Sequence, residues 1–273
     1  MKKIWHYVGV IFIIFWGLAP FYWMLITALR DSAHTFDTTP WPTHVTLQNF
    51  YDALATDKGN DFLGAIGNSL IISLSTTAIA VAVGVFTAYA IARLDFPGKG
   101  IVTGVILAAS MFPGIALITP LFQLFGDLGW IGTYRAMIIP NISFALPLTI
   151  YTLISFFQQL PWELEQAARV DGATRGQAFR LVLLPLAAPA IFTTAILAFI
   201  TTWNEFMLAR QLSTTATEPV TVAIARFSGP SAFEYPYASI MAAGSLVTVP
   251  LIIMVLIFQR RIVSGLTAGG VKG

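Results

Sequence analysis

Glu165 to Pro185 reads EQAARVDGATRGQAFRLVLLP, a polar, small-residue stretch set inside an otherwise lipid-like chain. Upstream, Pro161 can open a helix at its first position, where a missing N–H costs nothing, and Glu163 and Glu165 then favour the positive end of the helix dipole. That helix is expected to stop near Asp171. Gly172 can take a left-handed cap conformation that costs most other residues about 1–2 kcal/mol, and Thr174 with Gln177 has capping-box spacing for a new helix. The stretch predicts two short helices with a bend at Gly172. Ala167, Ala168 and Ala173 keep the surface of this elbow small, so that a partner can approach its backbone closely. It has the character of a docking element.

The sequence around the elbow belongs in a membrane. Of 273 residues, 56% are hydrophobic and 10% charged, against about 25% charged in an ordinary soluble domain. A helix needs about 20 apolar residues to cross a bilayer, and six segments approach or exceed that: Tyr7 to Leu29, Ala65 to Ala92, Ile101 to Phe125, Arg135 to Phe157, Pro185 to Leu208 and Tyr237 to Phe258. The fold class expected is all-α, a polytopic membrane protein with six transmembrane helices and a cytoplasmic coupling elbow. The first span is too long an apolar run for a signal core and reads as a retained helix. Pro20, Pro113, Pro120, Pro140, Pro147 and Pro250 predict kinks or interruptions, which lipid tolerates only against protein or a watery cavity. Gly9, Gly17, Gly84, Gly104 and Gly114 suit close helix packing.

Charge sets the expected orientation. With the N-terminus inside, the cytoplasmic pieces hold Lys2, Lys3, Arg93, Lys99, Arg169, Arg175, Arg180, Arg260, Arg261 and Lys272. The other side holds Arg30, Lys58, Arg135, Arg210 and Arg226. This positive-inside bias predicts both termini and the elbow in the cytoplasm. The domain plan is then a cytoplasmic N-terminus at 1–6, a transmembrane domain at 7–258 that includes the elbow loop at 158–184, and a cytoplasmic tail at 259–273. A formal net charge of +2 is a topology signal and gives no sign of nucleic-acid binding.

Several chemistries drop out. The chain has no cysteine, which excludes disulfides, thiol nucleophiles and thiolate metal sites. His6 lies at a membrane boundary, and His34 and His44 share one loop without helical spacing, so they read as surface residues with no metal site. No Walker A loop occurs, because Gly98-Lys99 lacks the upstream glycine and the following Ser or Thr. The chain itself is expected to bind no cofactor and to catalyse nothing.

The pattern E-x-A-A-x-x-D-G-A, a hydrophobic stretch and L-P resembles the signature loop of membrane subunits of bacterial ABC importers. Glu165, Ala167, Ala168, Asp171, Gly172, Ala173, Leu184 and Pro185 match it, while Val182 stands where isoleucine is commoner. MFPGIALITPLF (Met111 to Phe122), the P-x-E-L-E lead-in from Pro161, TTWNEF (Thr201 to Phe206) and the ending GLTAGGVKG (Gly265 to Gly273) look like the carbohydrate-importer branch. Within it the best match is the second membrane subunit of maltose-type systems.

The resemblance implies a half-channel that pairs with a second, homologous permease subunit, two cytoplasmic ATPase subunits and an external sugar-binding protein, all at a bacterial cytoplasmic membrane in contact with lipid. ATP and Mg would be used by the ATPase subunits. The elbow would sit in a cleft on an ATPase subunit, and Gly265, Leu266, Gly269 and Gly270 of the tail would reach between the two. Trp203, Asn204 and Glu205 fall near the outer end of the fifth span and are the candidates for a pathway or external mouth. Asn204 and Glu205 either line an external mouth, offering hydrogen bonds to sugar hydroxyls or a docked receptor, or belong with Trp203 to a belt of interfacial residues. A permease for a non-sugar solute and an ion-coupled secondary transporter are the rivals; the latter needs mid-membrane charges as a coupling site. The sequence leaves the sugar open among maltose, trehalose, an oligosaccharide and a sugar-phosphate ester.

Overall fold

A computed structural model describes residues 2–55, 61–227 and 235–270, with side chains over 3–55, 61–227 and 235–258. Its helices are α1 (Lys2–Ala28), α2 (Gln48–Leu54), α3 (Phe62–Arg93), α4 (Lys99–Ser110), α5 (Ile118–Asp127), α6 (Tyr134–Gln159), α7 (Trp162–Val170), α8 (Arg175–Ala178), α9 (Leu184–Trp203), α10 (Met207–Leu212), α11 (Val220–Ala225) and α12 (Tyr237–Gly270). No strand occurs among the described residues beyond one isolated bridge between Arg30 and Val45. The all-α expectation holds.

Among the described residues five helical segments are long and apolar enough to cross a membrane, and the bent pair formed by Lys99–Ser110 and Gly114–Asp127 makes a sixth if it counts as one span. The third span was placed at Ile101 to Phe125, with a kink or interruption expected at its prolines. It turns by 85°. Pro113 cannot donate to a helical ladder and disfavours helix at the residue before it, so the chain leaves α4 at Met111 and restarts as a 3-10 turn at Gly114.

The chain divides into two compact units, Met1–Gly67 with Pro219–Ile252, and Asn68–Glu218 with Ile253–Gly273. In the first, α1 is an almost bare apolar rod, with Trp5, Ile13, Phe15 and Trp16 all exposed. Such a helix needs lipid or a partner around it. Gly244 on α12 lies against it, where a Cβ would come within 3.2 Å of the Met24 sulfur. In the second unit Val85, Ala88 and Ile91 of α3 meet Leu153 and Phe157 of α6 and Leu183, Ala187 and Ala190 near the start of α9. Lipid supplies no hydrophobic drive between helices, so close packing has to hold them together. Gly84 is the tightest point, since a Cβ there would fall 2.6 Å from Thr149 Cγ2. Gly114 packs on Phe144 in the expected way, whereas Gly9, Gly17 and Gly104 face no atom within 4 Å of an added Cβ.

Two further boundaries differ from expectation. The fifth span was placed at Pro185 to Leu208; its helix stops at Trp203, and Asn204 turns the chain. The tail was set apart from the last span at 259–273, yet the backbone of α12 runs on through Gly265, Leu266, Gly269 and Gly270. The side chains at these positions, and all of Val271 to Gly273, lie outside the described residues.

Candidate functional site

The elbow forms as its residues dictate. Pro161 is the residue that precedes the helix, with φ −56° and ψ 134°, rather than its first helical position, and α7 starts at Trp162. Glu163 and Glu165 occupy the first turn, where the dipole favours acids. At the other end Gly172 has φ 93°. The Ala173 N–H donates to the Ala168 carbonyl at 3.0 Å, and the Gly172 N–H to the Arg169 carbonyl at 3.1 Å. These two bonds are a Schellman closure, and they need the left-handed residue that glycine supplies.

The restart is equally determined. The Thr174 hydroxyl accepts from the Gln177 N–H at 3.3 Å, and the Gln177 side-chain oxygen accepts from the Thr174 N–H at 2.8 Å. This is the capping box the spacing predicted. After α8 the helix widens into a π segment over Phe179–Leu183, and the Leu184 N–H reaches five residues back to the Phe179 carbonyl. Pro185 is the physical reason. It has no N–H, and in a regular helix its ring would press on the Leu181 carbonyl.

Burial separates the elbow residues into two groups. Asp171, Gly172 and Ala167 are exposed and Ala168 and Ala173 are half-buried, leaving the small-residue surface open. Val170 is 86% exposed and Leu181 69%, an apolar surface the alanine pattern alone had not suggested. Glu163 is exposed. Glu165 is not: it is only 5% exposed, and its Oε1 accepts a hydrogen bond from the Tyr89 hydroxyl at 3.1 Å. One turn further along α3, Arg93 donates to the Leu160 carbonyl at 2.5 Å and lies over the Trp162 ring, 4.5 Å from its centroid. The start of α7 is therefore clamped from two points on one face of α3. Tyr89 and Arg93 were missed in the sequence. Their four-residue spacing puts both on one helix face, and a phenol and a guanidinium ending an apolar span were the available signal.

The clamp is incompletely satisfied. Glu165 Oε2 and the Arg93 Nε and Nη1 are buried without hydrogen-bond partners among the described residues, and polar atoms held this way cost free energy.

At the far end of α9 the structure corrects the helical placement of Glu205. Its two carboxylate oxygens accept the N–H groups of Leu208 at 2.8 Å and Ala209 at 3.0 Å, capping the short α10. Burial pushes the carboxyl above its ordinary range, against the opposing pull of these N–H groups. Asn204 is exposed but folds its amide back onto the Ile200 carbonyl at 2.8 Å. Trp203 is 1% exposed and stacks on Phe199 at 5.5 Å. It is a core residue and has no place in an interfacial belt. The segment beyond is fastened by Asn68, whose amide donates to the carbonyls of Ala216 and Glu218 and whose oxygen accepts from the Tyr134 hydroxyl at 2.6 Å.

A bundle of apolar spans interrupted by a doubly capped polar elbow defines a multi-pass membrane permease subunit. The chain belongs to the family of inner membrane components of binding-protein-dependent transport systems, whose model matches residues 80–267. It is 48% identical over 259 residues to the trehalose transport system permease protein SugB of Mycobacterium tuberculosis, covering 94% of this chain and 93% of that one. To the trehalose/maltose transport system permease protein MalG of Thermococcus litoralis it is 39% identical over 274 residues, covering 100% and 98%. Among solved structures, a bacterial ABC transporter involved in import of the acidic polysaccharide alginate superposes with a TM-score of 0.77 at 20% identity, covering 95% of this chain and 96% of that one. The resemblance to the maltose-type carbohydrate branch, drawn from the elbow, TTWNEF and the GLTAGGVKG ending, agrees with these relatives.

Proposed function

We propose that this chain is half of the translocation pathway of an ATP-driven sugar importer and that its elbow, Trp162 to Leu184, docks on a separate ATPase subunit. The observation that carries the reading is the elbow itself: two helices set rigidly about Gly172, presenting Val170 and Leu181 to a partner while Glu165 and Trp162 tie α7 to α3. A push on the exposed face is delivered to a membrane-spanning helix through these ties. Glu165 Oε2 and the Arg93 Nε and Nη1 have no hydrogen-bond partner in this packing, and a second packing that supplies partners would gain by it. Alternating access requires such a two-state packing, biased by ligands that bind one state better.

The rest of the assembly follows from the same reading. A second homologous permease covers surfaces such as the bare face of α1, two ATPase subunits bind and hydrolyse ATP with Mg, and this chain is non-catalytic. An external binding protein presents the sugar; a solved alginate transporter in complex with a pentasaccharide-bound periplasmic protein, similar in fold, supports that partner. Both termini and the elbow lie in the cytoplasm, in keeping with the distribution of basic residues. Asn204 is exposed beyond the end of α9 and stands nearest to the role of a pathway mouth, while Glu205 serves chiefly to cap α10. The tail around Gly265 to Gly270 extends α12 toward the ATPase subunits.

An α-linked disaccharide of the trehalose type is the first substrate to test, because the two relatives compared above carry trehalose in their names. Uptake of radiolabelled trehalose is measured in cells lacking this chain and in cells with it restored. Loss and recovery of uptake are expected, with unlabelled maltose, an oligosaccharide and a sugar phosphate as competitors to define the range. Unchanged trehalose uptake without the chain contradicts this substrate, and uptake of no glycoside at all contradicts the sugar reading.

A further inference from the structure

His34 and His44 stand ten residues apart in sequence, and the fold brings them together. The segment between them is closed at its base. Arg30 pairs with Val45 in an antiparallel bridge, the Thr46 N–H donates to the Leu29 carbonyl at 2.8 Å, and Asn49 donates to the carbonyls of Ala28 and Arg30. It is also pinned across its middle. The Arg30 guanidinium, fully buried, donates to the carbonyls of Asp37 and Thr39 and lies over the Trp23 ring at 5.3 Å. The bridge sets His44, the neighbour of Val45, beside Asp31, the neighbour of Arg30.

At that point three side chains converge. Asp31 caps the 3-10 turn Ser32–His34, its Oδ1 accepting the His34 N–H at 3.0 Å and lying 2.6 Å from His34 Nδ1. The His34 and His44 rings stack with centroids 4.1 Å apart. Each of the three residues offers one ligand atom, and these atoms all lie within 4.8 Å of one another. The surface reading of the two histidines took no account of Asp31 or of the bridge.

We propose that Asp31, His34 and His44 form a binding site for a divalent transition-metal ion of the zinc type. Two imidazoles and one carboxylate are a donor set that suits zinc, whereas magnesium and calcium seek six or more oxygens. With metal–ligand bonds of about 2.0–2.1 Å, tetrahedral ligand atoms lie about 3.3 Å apart, so the atoms have to close in and the two rings, stacked at 22°, have to swing apart until both in-plane lone pairs face one point. His44, at the exposed edge, can supply that movement by side-chain rotation. The nearby Arg30 charge is turned away into carbonyl groups and the Trp23 ring. Three protein ligands leave a fourth position for water or for a group from a docked partner. The ion would clip the segment after α1 across its own length, fixing a surface that the charge pattern assigns to the external side.

The full-length chain, co-purified with its partner subunits through a histidine-free tag and placed in lipid nanodiscs, is stripped with a chelator, dialysed and titrated with Zn²⁺, and in parallel with Co²⁺ as an absorbing probe. The His34→Gln/His44→Gln double variant, checked for intact assembly by size exclusion, is the reference. One Zn²⁺ per chain above that reference is expected, with tetrahedral Co²⁺ visible bands that vanish in the double variant. Asp31→Asn removes an anionic ligand outright and is expected to weaken binding by at least the roughly tenfold that loss of an outer-shell partner costs. Equal Zn²⁺ in wild type and double variant, or no Co²⁺ difference spectrum between them, overturns the proposal.

Discussion

The Tyr89 hydroxyl donates to the Glu165 carboxylate at 3.1 Å, joining the C-terminal end of the long helix α3 to the first turn of the elbow. Tyr89→Phe leaves a second oxygen of a buried carboxylate unpaired, a loss of about 1–3 kcal/mol. Protein should still reach the membrane, while uptake and receptor-stimulated ATPase activity fall together. Glu165→Gln keeps an acceptor for the hydroxyl and removes the buried charge, so its coupling should lie between that of the wild type and that of Glu165→Ala. Equal coupling in all variants would leave the contact without a mechanical role.

Gly172→Val tests the bend without a clash. No atom lies within 4 Å of an added Cβ, and the φ of 93° alone makes the substitution costly, by about 1–2 kcal/mol. The expected outcome is normal membrane abundance with reduced transport. Thr174→Ala removes the cap of α8 and should produce a weaker effect in the same direction, about 1 kcal/mol. If Gly172→Val lowers abundance and leaves activity per molecule unchanged, the bend serves only stability.

Gly84→Val concerns packing. The Cβ would meet Thr149 Cγ2 at 2.6 Å, forcing α3 away from α6 at about 1–3 kcal/mol. Thermal stability of the purified chain with its partners should drop, and Thr149→Ala should restore part of it, because the clash is with that methyl group. Absence of rescue would show that the crossing of the two helices is set elsewhere.

Glu205→Ala removes both acceptors at the start of α10 and should loosen the Met207–Leu212 turn, at a cost of about 1 kcal/mol. Limited proteolysis within this turn is the direct measurement. Glu205→Gln retains one acceptor oxygen and should protect better than alanine. Identical cleavage in wild type and Glu205→Ala would contradict the capping role.

Local chemistry was the legible part of this fold. Gly172, Thr174 and Gln177 act through bonds to residues within a few positions, so spacing alone fixed the elbow and its caps. The apolar spans were equally readable, because the bilayer imposes their length. What the sequence concealed depends on contacts between distant segments. Glu165 read only as an acid at the positive end of a helix, and it is the packing of α3 against α7 that turns it inward onto Tyr89. Trp203 and Glu205 were assigned by counting along a helix that stops at Trp203, and TTWNEF carries no proline or glycine to announce the turn. His34 and His44 meet through a bridge between Arg30 and Val45 that no periodicity reveals.

Docking of the elbow on an ATPase subunit is the central claim, and a chain with no native cysteine permits a clean test by cross-linking. Val170→Cys, on the most exposed apolar point of the elbow, is coupled to a short photoreactive linker in the assembled complex, with Trp41→Cys in the first loop as the control. The account predicts a cross-link from position 170 to the ATPase subunit, changed in yield by ATP, and none from position 41. An intact, transport-competent complex in which position 170 never cross-links to the ATPase subunit would contradict it.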